Sequence, residues 1–456
     1  MINKFLKFLS TNHKIVNIQC RFNYTNSEQF ITTTEKALEN RLLNSMYYRI
    51  IPDLKPKNFK LLKESVIKRK YQIDLTKIQE CFDVHHKFHR KSVNQITKIK
   101  RLEKLFLEDT SRQNFKKRII DEKKKLSAIN NEKLNYSELL SVHIIRLPNY
   151  IHESTPEETV ETLNISSVNL GFPPKSHIEI GQANKEISFQ DGKLSFYYLK
   201  GKLPLIELAC SNFFSNFLLQ NKFIQQSNLD LWKDIVFEAC GIDHNDLNKT
   251  LCVNLGPESE YHSLVYLSGG SSIASFAAFF ARSTLETDEY FPLRLVNIGR
   301  KYQPQIGEPS LFNSFQSTSV DAFIVSKQEN IFEEFIKAKN NIVQVYKESG
   351  FHFKVVHYCP TDLKSYESAG FGIQMYSNYS KEYIEVGRIS LCEDFISRKI
   401  LSSYFNKKKK QVYTSMIHIQ VVNVTKLIGI LLENFQNQDM SYNIPDWLEN
   451  ELKLYI

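Results

Sequence analysis

The chain has 456 residues, 42% hydrophobic and 12% aromatic, with only 15 Gly and 13 Pro, which excludes long disordered stretches and leaves room for two or three cores. Its net charge is +9, and its longest apolar stretch, Ile273 to Ala281 with Ser275 inside it, is far below the roughly 20 residues that span a bilayer. The seven cysteines are odd in number, scattered and never spaced CxxC, which fits a reduced compartment and excludes a zinc ribbon.

Residues 1–27 carry Lys4, Lys7, Lys14 and Arg21 among Ile2, Phe5, Leu6, Phe8 and Leu9, and no acid occurs before Glu28. Basic and apolar residues mixed without acids predict a mitochondrial presequence, hence the matrix as destination. Residues 28–57 follow as a linker. From 58 to 146 the text is helical, with Val93, Ile96, Ile99, Leu102 and Leu105 as one stripe and Phe115, Ile119, Leu126 and Ile129 as another. Glu108-Asp109-Thr110-Ser111 is the expected reversal, so the segment is an antiparallel hairpin. His85, His86 and His89 share a helical turn but have no carboxylate at a metal-site spacing, so no metal is expected.

Between Cys81 and Asn130 stand 14 Lys and Arg against six Asp and Glu, almost the whole excess charge of the chain. Such an arm is either a solvated coiled-coil surface or a polyanion-binding face. In the second case Lys98, Lys100, Arg101, Lys104, Arg112, Lys116, Lys117, Arg118, Lys123, Lys124 and Lys125 are the phosphate contacts. Past residue 147 the periodicity changes to short mixed strands and helices, with turn signals at Gly171-Phe172-Pro173-Pro174 and Asp191-Gly192. The helix from Leu205 to Asn221 is too apolar to face solvent, so it belongs to the core or to a subunit interface.

Four segments carry a family likeness. Leu147-Pro148-Asn149-Tyr150-Ile151-His152-Glu153-Ser154 resembles the linker between arm and catalytic domain of seryl-tRNA synthetases, and Ser176-His177-Ile178-Glu179-Ile180-Gly181 resembles the opening of that domain. Glu385-Val386 through Ser390, Cys392, Asp394-Phe395 and Arg398 resemble its carboxylate strand, and Ile430-Leu431-Leu432-Glu433-Asn434-Phe435-Gln436 its motif 3 helix. The resemblance runs from about residue 50 to the C-terminus. It implies an α+β class II synthetase fold over 147–456, an antiparallel sheet flanked by helices, preceded by the hairpin arm. It also implies a dimer built on Leu205, Leu208, Asn212, Phe213, Asn216 and Phe217.

Against that family the chemistry reads as dismantled. The resemblance implies that Arg300 is the surviving α-phosphate arginine, but the adenine-reading glutamate aligns with Tyr302 and the nucleotide-stacking arginine with Lys426, which lacks a planar fork. The loop 301–316 holds Lys301 and no arginine, and Ile419-Gln420-Val421 replaces a glycine-serine-glycine, with bulk expected in the nucleotide's path. The amine-binding Thr-x-Glu loop aligns with Gly270-Ser271-Ser272, the serine-hydroxyl glutamate with Ala322, and the serine beside the metal carboxylate Glu385 with Arg388, where a cation competes with Mg²⁺. One lost electrostatic contact costs about 2.7–4 kcal/mol of transition-state stabilisation, so several losses predict no ligase activity and no cofactor. Arg300 and Glu385 are then relics, kept by chance or as a structural ion pair.

The pattern is similar to the non-catalytic seryl-tRNA synthetase-like mitochondrial paralogues of insects. That resemblance implies a heterodimer with the active mitochondrial seryl-tRNA synthetase and contact with mitochondrial tRNA(Ser). Asn228, where motif 1 has a proline, lies beside the dimer helix and is expected to disfavour the homodimer. A divergent active mitochondrial serine–tRNA ligase and an RNA-independent mitochondrial scaffold are the alternatives.

Overall fold

The computed structural model describes residues 56–455 apart from 109–112, 166–169, 191–195, 244–245, 247–248, 254–264, 286–289, 305–307 and 309. The presequence, nearly all of the linker and Arg112 lie outside the described residues. The described chain divides into two compact units between Leu147 and Pro148.

The first unit holds α1 (Pro56–Lys68), α2 (Leu75–Glu108) and α3 (Gln113–Ile144). Contacts between α2 and α3 pair rising with falling numbers, as in Phe88 on Tyr136 and Ser92 on Asn130, so the two form the predicted antiparallel hairpin. Its seam is displaced from the expected one. Ile78, Phe82, His85, Ser92, Ile99 and Leu102 of α2 are buried, whereas Val93, Ile96 and Leu105 are 48%, 39% and 47% exposed. The reason is polar: Gln95 turns inward to Glu122, whose carbonyl lies 3.0 Å from Gln95 Nε2, and Ser92 Oγ donates to Asn130 Oδ1 at 2.8 Å. Each such bond contributes only about 0.5–1.5 kcal/mol net, but leaving a seam amide unpaired costs more, so the polar residues set the register. On α3 the expected stripe of Phe115, Ile119, Leu126 and Ile129 does turn inward.

In the second unit, chain order runs β1 (Val160–Ile165), α4 (His177–Ala183), β2 (Ile187–Phe189), β3 (Tyr197–Leu199), α5 (Leu203–Gln220), β4 (Ile224–Gln225), β5 (Leu231–Lys233) and α6 (Asp234–Ala239). It continues through β6 (Leu251–Val253), β7 (Val265–Leu267), α7 (Ile273–Phe279), β8 (Thr284–Leu285), β9 (Leu293–Tyr302), β10 (Gln316–Ser326), α8 (Ile331–Glu348), β11 (Phe353–His357) and β12 (Ala369–Tyr376). It ends with β13 (Tyr383–Glu393), α9 (Phe395–Ile400), β14 (Ser403–Phe405), β15 (Gln411–Tyr413), β16 (Ser415–Asn423), α10 (Val424–Asn434) and α11 (Asp446–Leu452). Eight strands form one sheet in the order β1-β11-β12-β13-β16-β10-β9-β4, antiparallel except where β4 meets β9.

Side chains alternate across this sheet, so each strand offers one row to each face. The back row, with Val320, Ala322 and Ile324 of β10 and Ile419 and Val421 of β16, joins Ile206, Cys210 and Phe214 of α5, Phe335 and Ile342 of α8 and Leu427 and Leu431 of α10 in the main core. The front row is polar, and it holds the site. Two segments singled out in the sequence meet at the back: His177, beside the capping box of Ser176 and Glu179, lies 2.6 Å through Nδ1 from Glu433 Oε1 of α10 and accepts the Leu311 N–H at Nε2. Asn149, 2% exposed, donates from Nδ2 to the carbonyls of Tyr366 and Cys392 at 3.0 Å each, and so fastens its segment to the end of β13.

Candidate functional site

Register decides which β9 cation faces the front. Arg300 pairs across to Thr318 and Lys301 to Ser317, so the two point to opposite faces. Arg300 goes to the back, where its Nη1 lies 3.2 Å from Glu207 Oε1 of α5. It makes no pair with Glu385, and the expectation that Arg300 is the inward phosphate-site arginine is corrected: the inward cation is Lys301. A one-residue slip in a strand exchanges the faces completely.

Lys301 Nζ lies 2.7 Å from Asp321 Oδ2, and His418 Nε2 of β16 lies 2.9 Å from the same oxygen. Asp321 is fully buried, and Ser319 Oγ donates to its other oxygen at 2.5 Å. Burial would raise the Asp321 pKa, but the Lys301 charge and the His418 hydrogen bond outweigh it and hold the carboxyl below its ordinary value. Burial lowers His418 despite that carboxylate, so a neutral imidazole donating to Asp321 fits the cluster. Phe323 and Phe276 of α7 stack at 5.4 Å and wall it. A buried carboxylate thus stands one residue before Ala322, which itself lies in the back core.

The second cluster centres on Arg388 of β13, 6% exposed. Its Nε and Nη2 reach Glu367 Oε1 and Oε2 at 2.8 Å each, its Nη1 reaches Glu385 Oε2 at 3.1 Å, and its Nη2 also donates to the Asp362 carbonyl at 2.7 Å. The guanidinium lies 4.2 Å from the centre of the Tyr358 ring, and the Tyr358 hydroxyl donates to Glu385. Gly372 of β12 makes this possible, because a Cβ there would stand 2.0 Å from the Tyr358 oxygen. Burial would raise the Glu367 pKa, but the charge and hydrogen bonds of Arg388 hold it at about 2. Lys426, at the start of α10, donates from Nζ to the Glu385 carbonyl at 3.1 Å, with its pKa lowered chiefly by burial. Glu385 thus already has a fixed cation on its carboxylate, and the residues present do not fit a divalent ion there. Among the described residues no group of three or more His, Cys, Asp or Glu is arranged to hold a metal.

Of Ile419-Gln420-Val421, only Gln420 looks to the front, opposite Arg388 and Asp321, while Ile419 and Val421 are core residues. The expected blockage by three bulky side chains is corrected to one amide. Tyr302 ends β9 with its N–H donating to Ser268 O at 3.3 Å. The 270–272 loop is held by its own neighbours. Gly270 N–H donates to Asp230 Oδ1 at 2.6 Å, Asn228 Nδ2 donates to Gly270 O at 2.9 Å, and Ser272 caps α7 by accepting from Ser275 N–H. Asp321, His418, Glu367 and Tyr358 were missed from sequence, and the strand alternation of β10 and β16 was the available signal for the first two.

The arm cations Lys98, Lys100, Arg101, Lys104, Lys116, Lys117, Arg118, Lys123, Lys124 and Lys125 are exposed. Lys98 and Lys125 pair with Glu122 at 3.0 and 3.1 Å and Lys123 with Glu103 at 2.8 Å, so part of the charge is locally offset. On α5, Leu208 is 44% exposed and Asn216 is exposed; Leu205, Asn212, Phe213 and Phe217 are half-buried, with Phe213 tilted on Trp447 of α11 at 4.3 Å.

Comparison with known proteins bears on the fold. The family described as tRNA synthetase class II core domain (G, H, P, S and T) matches residues 266–435. The seryl-tRNA synthetase of Pyrococcus horikoshii, solved in complex with ATP, superposes with a TM-score of 0.76 at 18% identity over 88% of this chain and 98% of that one. The fold is that of a class II aminoacyl-tRNA synthetase core preceded by a helical hairpin. The sequence is 25% identical over 343 residues to the serine–tRNA ligase of Methanoregula boonei, covering 71% of this chain and 78% of that protein. It is 26% identical over 346 residues to the mitochondrial serine–tRNA ligase of Mus musculus, covering 72% of this chain and 65% of the mouse protein. The chain is seryl-tRNA synthetase-like, a distant homologue of serine–tRNA ligases that include mitochondrial ones.

Proposed function

We propose that the chain is a non-catalytic mitochondrial paralogue of serine–tRNA ligase that binds tRNA(Ser) through its arm and pairs with the active mitochondrial enzyme through α5. The observation that carries this reading is Arg388, whose guanidinium joins Glu367 to Glu385 at 2.8 and 3.1 Å, where the family resemblance implies a metal-binding carboxylate. On the front face Lys301 is engaged by Asp321, Arg388 by Glu367 and Glu385, and Lys426 by the Glu385 carbonyl, so a polyphosphate would have to displace an existing partner to reach a cation. Breaking such pairs costs more than one incoming phosphate contact supplies.

RNA binding is supported by the exposed basic arm, and mitochondrial residence by the acid-free N-terminal 27 residues. Pairing is supported by Leu208, Asn216 and Leu219, exposed on a helix whose other residues include Ile206, Cys210 and Phe214 of the core. Asp321 favours a second reading, a divergent active ligase, because a front-face carboxylate stands one residue before Ala322, where the resemblance implies the carboxylate that recognises the serine hydroxyl. Serine-dependent pyrophosphate exchange by the isolated chain separates the two. The pseudoenzyme gives none above background, and measurable exchange selects the ligase.

A further inference from the structure

We infer that the turn joining β14 to β15 is a second RNA-backbone contact, separate from the arm, formed by Lys407, Lys408, Lys409 and Lys410. The inference rests on the reading of the chain as RNA-binding. Four consecutive lysines occupy the tip of a hairpin, all exposed, and none has a carboxylate partner among the described residues. The surrounding text withholds counter-charge as well: no Asp or Glu occurs between Asp394 and Glu433. Adjacent ammonium groups repel, and a polyanion relieves that repulsion.

The tip is held in one shape. Asn406 Oδ1 accepts the N–H groups of Lys408 and Lys410 at 3.0 Å each, Asn406 N–H donates to Lys410 O at 3.0 Å, and Lys409 sits in the left-handed region at φ 55°. Below it, buried Tyr404 meets Phe291 edge-on at 5.1 Å, and β14 is also paired with β8, so the hairpin is anchored to its unit. The closed turn gathers the four lysines at one tip, from which their flexible stems carry the ammonium groups outward. Phosphates along one nucleic-acid strand recur about every 3.4 Å of axis, so a single strand offers several charges to one such tip. Phe405, 39% exposed at the base of the turn, presents a ring on which a base can stack. An anionic bilayer is matched better by a broad basic face on an apolar helix than by one narrow strand turn.

The test uses the full chain, with total tRNA and a poly(U) oligonucleotide as probes, in filter binding across a potassium chloride series. Replacing Lys407→Gln, Lys408→Gln, Lys409→Gln and Lys410→Gln together is expected to lower affinity about tenfold at near-physiological salt and to flatten the log–log salt slope by about 2–3. The corresponding four Lys→Arg changes are expected to keep affinity, which separates loss of charge from a misshapen turn. Unchanged affinity and slope in the Gln variant overturn the proposal. So does a Gln variant that loses binding to phosphatidylserine vesicles while keeping RNA. A variant with Lys116→Ala, Lys117→Ala and Arg118→Ala is measured in parallel: loss there with no loss in the turn variant sinks this contact alone, and the reverse sinks the arm reading alone.

Discussion

Arg388 shows how one side chain is tied to the stability of its surroundings. Glu367 is fully buried, and Arg388 bonds both of its oxygens, so Arg388→Ala leaves the carboxylate without its bidentate partner and is expected to cost about 3 kcal/mol, read as a fall in thermal midpoint. Arg388→Met combined with Glu367→Gln should cost clearly less than the two single changes added, because the pair acts as one unit. The same contact has an acid limb. With the Glu367 carboxyl at about 2 folded against an ordinary 4.5, its contribution is complete above about pH 4.5 and is lost as pH falls towards 2. Thermal melts in that window should show a slope that the double variant lacks.

Among the elements, the hairpin α2–α3 carries its polar side chains inward as well as outward, which makes it pH-sensitive. Burial, and then the charge of Lys133, lower the His85 pKa from 6.5 to about 4, so the folded arm prefers a neutral ring. Its stabilisation is full above about pH 6.5 and declines as pH drops towards 4, where the folded state must give up the imidazole or bury a charge. Amide exchange across residues 75–144 should quicken over that interval in the native chain, and His85→Leu should remove most of the acceleration. The outward cations predict a different behaviour. Lys116→Ala with Lys117→Ala and Arg118→Ala should leave exchange rates unchanged and weaken tRNA binding, most visibly at low salt.

At the level of the whole molecule the decisive property is association. The back core seals one side of α5 and leaves Leu208 at 44% and Leu219 at 39% exposure, apolar surface that is available to a partner chain. Co-expression with an active mitochondrial serine–tRNA ligase, followed by native mass measurement, is expected to give a mixed dimer. Leu208→Asp should abolish it without changing the thermal midpoint by more than about 0.5 kcal/mol equivalent, as for an exposed site. Exclusive homodimers of each chain would remove the pairing part of the proposal. Among the described residues no helix is long and apolar enough to cross a membrane.

The residues alone determined the hairpin, the apolar character of α5, and the segments around Asn149, Ser176, Glu385 and Glu433. These rest on periodicity over many residues or on short distinctive strings, and both survive small errors of alignment. Tertiary structure decided what depends on parity and orientation: Lys301 and not Arg300 at the front, Asp321 and not Ala322 as the buried acid, Gln420 alone of its triplet facing the cluster, and Gln95 turned into the seam ahead of Val93 and Ile96. In a strand the side-chain period is two, so a displacement of one residue reverses every assignment, and only the hydrogen-bonded register of the neighbouring strands fixes it. Whether an arginine stays free for a ligand or closes on two glutamates likewise depends on groups 3 and 21 residues away, which meet only when β12 and β13 are laid side by side.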